Sequence, residues 1–264
     1  MNVEKPAFIK INQLPIIGCV FRKYDLMIGE MGLQRASAEV IRRTGSRLEI
    51  VGMEDETKNI LETKPVLMVC NHPHDAESLM LLGTIPERND TYIIASHNQM
   101  GIGGNITEHI IPVYIGKQQH GDVKLSVRIA RRFNVGPQFS EVESHQKNIQ
   151  SIERASSLIR EGHEVIIFPE GARGKEGKWL KGIGYLVKNI GELDNCYYVK
   201  VHIEGTSDLD ILRLIPKVSK ILNKGKIYFS KPRKITDIIV GETDPKQIAE
   251  KLEQEYKEWI IKLR

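Results

Sequence analysis

Two short polar segments, about a hundred residues apart, hold the side chains best suited to chemistry. The first, Asn71-His72-Pro73-His74-Asp75-Ala76-Glu77, directly follows the apolar run from Val66 to Cys70. The second, Phe168-Pro169-Glu170-Gly171-Ala172-Arg173-Gly174, directly follows Val165-Ile166-Ile167. Each apolar run reads as a buried strand that stops abruptly at polar groups and turn formers. Titratable residues at strand exits of an α/β chain are where active sites are commonly assembled.

His72 and Glu77 are five residues apart. In a continuous helix, five steps of about 100° would put them on different faces. They can meet only if His72 lies in the loop and Glu77 in the first turn of the next helix. A carboxylate on one imidazole nitrogen fixes the tautomer and supports the charge that appears when the other nitrogen takes a proton. Such a pair is a general base without a nucleophile of its own, and the attacking group would be a substrate hydroxyl. Asp75 is a rival partner for His72, and His74 a rival base. His72-Pro73-His74 also has the form of a two-histidine metal site that Asp75 and Glu77 could complete with oxygen ligands, as in a metal-dependent hydrolase. Taken alone, the segment also fits a capped helix with solvated histidines. In the second segment, Gly171 lets backbone come close to a ligand, Arg173 can fork onto phosphate or carboxylate oxygens, and Glu170 can accept from a substrate hydroxyl or hold Arg173. The plainer alternative is a surface Glu–Arg pair of little energetic worth, which leaves the preceding Phe-Pro unexplained.

The elements that must position these residues alternate along the chain. Apolar runs predict strands over 47–51, 66–70, 91–95, 110–115, 164–168, 197–203 and 226–229. Helical patterns cover 54–62, 76–83, 148–161, 179–190, 208–223 and 245–262. The alternation predicts an α/β fold, with a mostly parallel or mixed central sheet flanked by helices. Residues 6–44 read as an amphipathic helical segment broken by Pro6, Pro15 and several glycines. They form either a helical hairpin packed on the domain or an interfacial element with its apolar side in a membrane surface. The expected division is therefore a helical segment over 1–44 and an α/β domain over 45–264.

With 264 residues, 41% of them hydrophobic and 27% charged, the chain can bury a sizeable core. A net charge of +4 is too small to argue for nucleic acid. The charge is unevenly distributed: Arg213, Lys217, Lys220, Lys224, Lys226, Lys231, Arg233 and Lys234 follow one another with no Asp or Glu between them. Lys124, Arg128, Arg131 and Arg132 fall on one helical face, which is either solvated or turned toward anionic lipid or cofactor phosphates. Three cysteines among apolar neighbours fit reduced thiols. The start of the chain does not read as a secretory leader, and no apolar run approaches the ~20 residues of a spanning helix. The expected location is cytoplasmic, peripheral on the inner face of the membrane.

Asn71-His72 followed by four residues and an acid resembles the first signature of the glycerophospholipid acyltransferase superfamily, which includes the 1-acylglycerol-3-phosphate acyltransferases. There the acid is Asp; here it is Glu77. The run from Leu158 through Phe168-Pro169-Glu170-Gly171-Ala172-Arg173 resembles a second signature, with Ala172 in the usual place of Thr. Trp179-Leu180-Lys181-Gly182 resembles the aromatic, Lys and Gly that follow in the family. Ile110 to Lys117 lies where the family has a strand ending in an Arg that contacts acceptor phosphate; Ile115 holds that place and Lys117 is the nearest cation. Tyr198 to Gly205 resembles the final block, with Lys200 where Pro is common.

The resemblance implies phospholipid biosynthesis: transfer of a fatty acyl group from acyl-CoA or acyl carrier protein to a hydroxyl of a lysophospholipid-like acceptor. His72 would be the base, with Glu77 or Asp75 behind it. Asn71, Lys117, Glu170, Gly171, Arg173 and Lys181 would bind substrate. It implies no metal and no cofactor beyond the thioester co-substrate, an anionic membrane surface as partner, and no nucleic acid. The departures at Glu77, Ala172 and Ile115 leave open a catalytically inert lipid-binding relative.

Overall fold

The computed structural model describes residues 10–14, 17–74, 76–114, 137, 139–171, 178–191, 193–207 and 224–263. Strand β2 (Val66–Cys70) lies at the centre, and all five of its residues are buried. A continuous apolar run is what a strand needs when both faces of its sheet are covered. On one side β2 pairs with β5 (Glu164–Ile167), followed by β3 (Thr91–Ser96) and β4 (Ile110–Val113). On the other side come β6 (Tyr197–Glu204), β7 (Gly225–Phe229) and the edge strand β1 (Leu48–Val51). The short β8 (Arg233–Lys234) pairs with the start of β6. Strands β4, β3, β5, β2 and β6 are parallel, β7 and β8 run against β6, and β1 runs with β7. The sheet is thus mixed and mostly parallel, and its five parallel strands all exit onto one rim.

Side-chain alternation along the strands divides the core in two. Met68, Cys70, Ile166, Val199 and Val201 face α1 (Ile17–Met31), α2 (Leu33–Thr44), α3 (Asp55–Thr63) and α4 (Glu77–Leu82) through Ile28, Leu33, Leu61 and Met80. Leu67, Val69, Val165, Ile167 and Tyr198 face α6 (Glu141–Arg160), α7 (Gly182–Ile190) and α9 (Pro245–Leu263) through Ile159, Leu186 and Leu252. Two further short α-helices, α5 (Gly104–Thr107) and α8 (Ile235–Ile238), and two 3-10 turns, Ile11–Gln13 and His97–Gly101, complete the described elements.

The N-terminal helices are packed onto the sheet. Met27, Ile28, Leu33 and Ala36 belong to the same core as β2. The buried carboxylate of Asp25 accepts from the Ile106 N–H at 2.9 Å and from Asn105 Nδ2 at 3.1 Å, which fixes α1 to α5. Gln34 of α2 donates to Thr91 Oγ1 at 2.7 Å, and Thr91 donates to Glu164 Oε2 at 2.8 Å. Helix α2 ends at Gly45, whose left-handed φ of 68° suits a residue without Cβ and lets its N–H reach the last carbonyls.

Helix α6 starts at Glu141, seven residues before the apolar periodicity that begins at 148. The cause is a capping box: Ser140 Oγ accepts from the Glu143 N–H at 3.2 Å, and the Glu143 carboxylate accepts from the Ser140 N–H at 2.9 Å. Helix α7 starts at Gly182 rather than 179, since Trp179 and Leu180 are still in the connecting strand-to-helix segment. The helix expected over 208–223 and the basic face from Lys124 to Arg132 lie outside the described residues.

Candidate active site

At the exit of β2, Cys70 pairs with Val201 of β6. The side chain of Asn71 supplies the next rung: its Oδ1 accepts from the Ile203 N–H at 2.8 Å and its Nδ2 donates to the Ile203 carbonyl at 2.9 Å. Both ends of the amide are therefore engaged with β6, and Asn71 acts on the loop that follows it. The chain then turns at Pro73, and α4 begins with Glu77. With His72 in the loop and Glu77 in the first helical turn, the two side chains meet, Nδ1 to Oε2, at 3.0 Å. The His72 side chain is 20% exposed and that of Glu77 is 0% exposed.

Burial pushes the Glu77 carboxyl up. The hydrogen bond and charge of His72, the Thr206 hydroxyl and the backbone at Glu77 itself outweigh burial, so the net shift is downward. Glu77 is thus a carboxylate at neutral pH, and a carboxylate can only accept. Nδ1 of His72 accordingly carries the proton, which leaves Nε2 as the basic nitrogen.

The second segment comes to the same place because β5 is the parallel neighbour of β2. The Phe168 ring lies 4.6 Å from the His72 ring, centroid to centroid, tilted by 38°. After Phe168 the chain makes a tight turn closed by the Gly171 N–H on the Phe168 carbonyl at 3.0 Å. Pro169 suits the second position of that turn, and Gly171, with φ of 60°, the fourth. The Leu180 N–H donates to the Pro169 carbonyl at 2.8 Å and the Trp179 N–H to Glu253 Oε2 at 3.2 Å, so the flanking block is tied to both the turn and α9. Burial, then the charges of Glu77 and Glu170, raise the Cys70 thiol well above its ordinary value.

The structure thus brings together Asn71, His72, Glu77, Glu170 and Gly171 at one rim. Lys181 is exposed at the start of α7. Asp75, Lys117 and Arg173 lie outside the described residues, as do Ile115 and Ala172. Among the described residues, no group of three or more His, Cys, Asp or Glu side chains is arranged to hold a metal ion. Two neighbours escaped the sequence reading. Phe168 was visible only as part of a motif, with no sign that its ring would lie on His72. Tyr256, whose hydroxyl reaches the β6 carbonyl of Val201, comes from the distant C-terminal helix with no local signature. Chemically, the rim offers a half-buried imidazole backed by a fully buried carboxylate beside a turn rich in backbone polar groups. This arrangement can take a proton from a hydroxyl.

A family model described as acyltransferase matches residues 52–203. Among solved structures, the 1-acyl-sn-glycerophosphate (LPA) acyltransferase PlsC from Thermotoga maritima is 16% identical. That match covers 93% of this chain and 96% of the other, with a TM-score of 0.48. No curated protein matches.

Proposed function

This chain belongs to the acyltransferase family, and from that membership and the geometry of the rim we propose that it moves a fatty acyl group from a thioester to a hydroxyl of a lysophospholipid-like acceptor. His72 is the general base. Its Nε2 takes the hydroxyl proton as the oxygen attacks the thioester carbonyl, and Glu77 holds the ring and balances the imidazolium. Backbone N–H groups at the start of α4 stabilise the oxyanion. Collapse of the tetrahedral intermediate expels the thiolate, which takes up the proton from His72. The donor is acyl-CoA or acyl carrier protein, and the step uses no further cofactor. Glu170, Gly171, Arg173, Lys117 and Lys181 position the acceptor head group and the donor, and Asn71 contributes by fixing the loop.

The observation that carries this reading is the 3.0 Å contact between His72 Nδ1 and the buried Glu77, next to the Phe168 ring of the second motif. A bare surface histidine would have neither the fixed tautomer nor the neighbouring turn.

The test is a two-substrate assay with acyl-CoA or acyl carrier protein and a lysophosphatidate, following thiol release and the diacyl product. Wild-type protein should release thiol only when the lysolipid is present. His72→Ala should lose about 10²–10⁴-fold or more in turnover while the protein stays folded. Turnover retained in that variant would remove His72 as the base, and thiol release indifferent to the lysolipid would remove the acceptor.

A further inference from the structure

Helix α9 lies beyond the residues that the family model matches, yet it places a hydroxyl beneath the active rim. Tyr256 is 3% exposed, and its ring is packed between Trp179, at 5.3 Å, and Trp259, at 5.8 Å. Its Oη–H donates to the Val201 carbonyl at 2.8 Å. His202 Nδ1 lies 3.2 Å from the same oxygen, and the backbone N–H of Asn71 faces it as well.

A phenol has one proton to give. With that proton on Val201, the histidine nitrogen and the Asn71 N–H are the donors in the other two contacts. Burial above all keeps the phenol's pKa well above its ordinary value, so the proton stays in place. Because Val201 is the register partner of Cys70, the hydroxyl meets β6 level with the last residue of β2, with the Asn71 N–H just beyond it. Asn71 makes the next tie, to Ile203, and His72 follows directly. The ring alone would fill the space between the two tryptophans; the oxygen is what ties α9 to β6 beside the end of β2.

We propose that Tyr256 is a positioning residue for the acyl transfer, its hydroxyl holding the exit of β2 in register with β6 so that His72 is held against Glu77. The proposal rests on His72 as the base. It adds an element outside the matched region to the machinery: the C-terminal helix sets the geometry of a loop nearly two hundred residues earlier.

Tyr256→Phe deletes the oxygen and keeps the ring. The expected result is a fall in kcat of about tenfold or more with KM for both substrates unchanged, since misplacement by a fraction of an ångström acts on the transition state. Amide hydrogen exchange read by mass spectrometry should quicken in the peptide covering 70–77 and stay as in wild type along 245–263. Trp259→Phe thins the same packing without touching the hydroxyl and should change neither readout. The idea is overturned if kcat per folded molecule in Tyr256→Phe equals wild type, even with a lowered melting temperature, because the oxygen then serves stability alone. It is equally overturned if Trp259→Phe loses as much turnover. The exchange readout does not need activity. If His72→Ala stays active while Tyr256→Phe still loosens 70–77, the base assignment fails and the hold of Tyr256 on the exit of β2 stands.

Discussion

A carboxylate supports an imidazole most strongly where water cannot compete for it, and the Glu77 side chain has no exposed surface at all. His72 keeps enough exposure to meet a substrate, so in the proposed reaction the pair would divide the work between a buried support and an accessible base. Glu77→Gln keeps the shape and removes the charge. Turnover should fall by about 10²–10⁴-fold, with little change in KM, as expected when an orienting acid is neutralised. A rate within twofold of wild type would show that the carboxylate does not matter to the reaction. The lowered pKa also fixes a sign: Glu77's contribution to stability is present above the ordinary carboxyl value and is lost as pH falls through the depressed folded value. Between pH 6 and 8 Glu77 does not titrate, so any change in rate there comes from another group. At this scale the sequence was informative where spacing constrained geometry. Five residues across a strand exit required a loop histidine and a helical acid, and that is how His72 and Glu77 lie. It was silent on Tyr256, because a contact with Val201 across 55 residues leaves no periodic trace.

Elements were legible in proportion to how far burial alone decides them. Val66 to Cys70 is apolar throughout because both sheet faces are covered, so its limits could be read directly. The start of α6 could not be read from apolar spacing, because its first turns are set by Ser140 and Glu143 and expose Val142 to solvent. The pairing of α2 with the sheet was also hidden, since it runs through Gln34, Thr91 and Glu164 on three separate elements. Glu164 is 1% exposed; burial raises its carboxyl to about 7, against the Thr91 hydrogen bond and the Arg88 charge, with the Asp90 charge adding to the rise. Here the native state holds a proton that the unfolded chain gives up above the ordinary carboxyl value. Stability should therefore fall as pH rises from about 4.5 to about 7, by on the order of 3 kcal/mol, and level off above that. Thermal melts from pH 5 to 8 should show this slope in wild type and a flatter line in Glu164→Gln. An equal slope in both would locate the proton elsewhere.

Across the whole molecule, five parallel strands deliver their exits to one rim, which is how motifs about a hundred residues apart become neighbours. Among the described residues, no helix is long and apolar enough to cross a membrane. The proposed lipid substrates call for contact with a membrane surface, for which exposed Leu26, beside exposed Arg22 and Lys23, and the basic stretch after 213 are the candidates. Within the described part of that stretch, Lys224 pairs with Glu49 and Arg233 with Glu255, which offsets two of its charges. Co-sedimentation should be stronger with vesicles containing anionic lipid than with neutral ones, and should weaken with added salt. Weak binding indifferent to both would leave the protein to act on dispersed substrate. The cysteines, finally, grade the molecule from surface to centre. Cys19 is exposed, whereas Cys196 is buried with its thiol pushed up to about 12, and Cys70 is sealed at the foot of the loop that carries His72. An alkylating reagent would thus mark Cys19 at once and Cys70 only when the loop's anchorage opens, which gives the chain its own clock for breathing at the reactive edge.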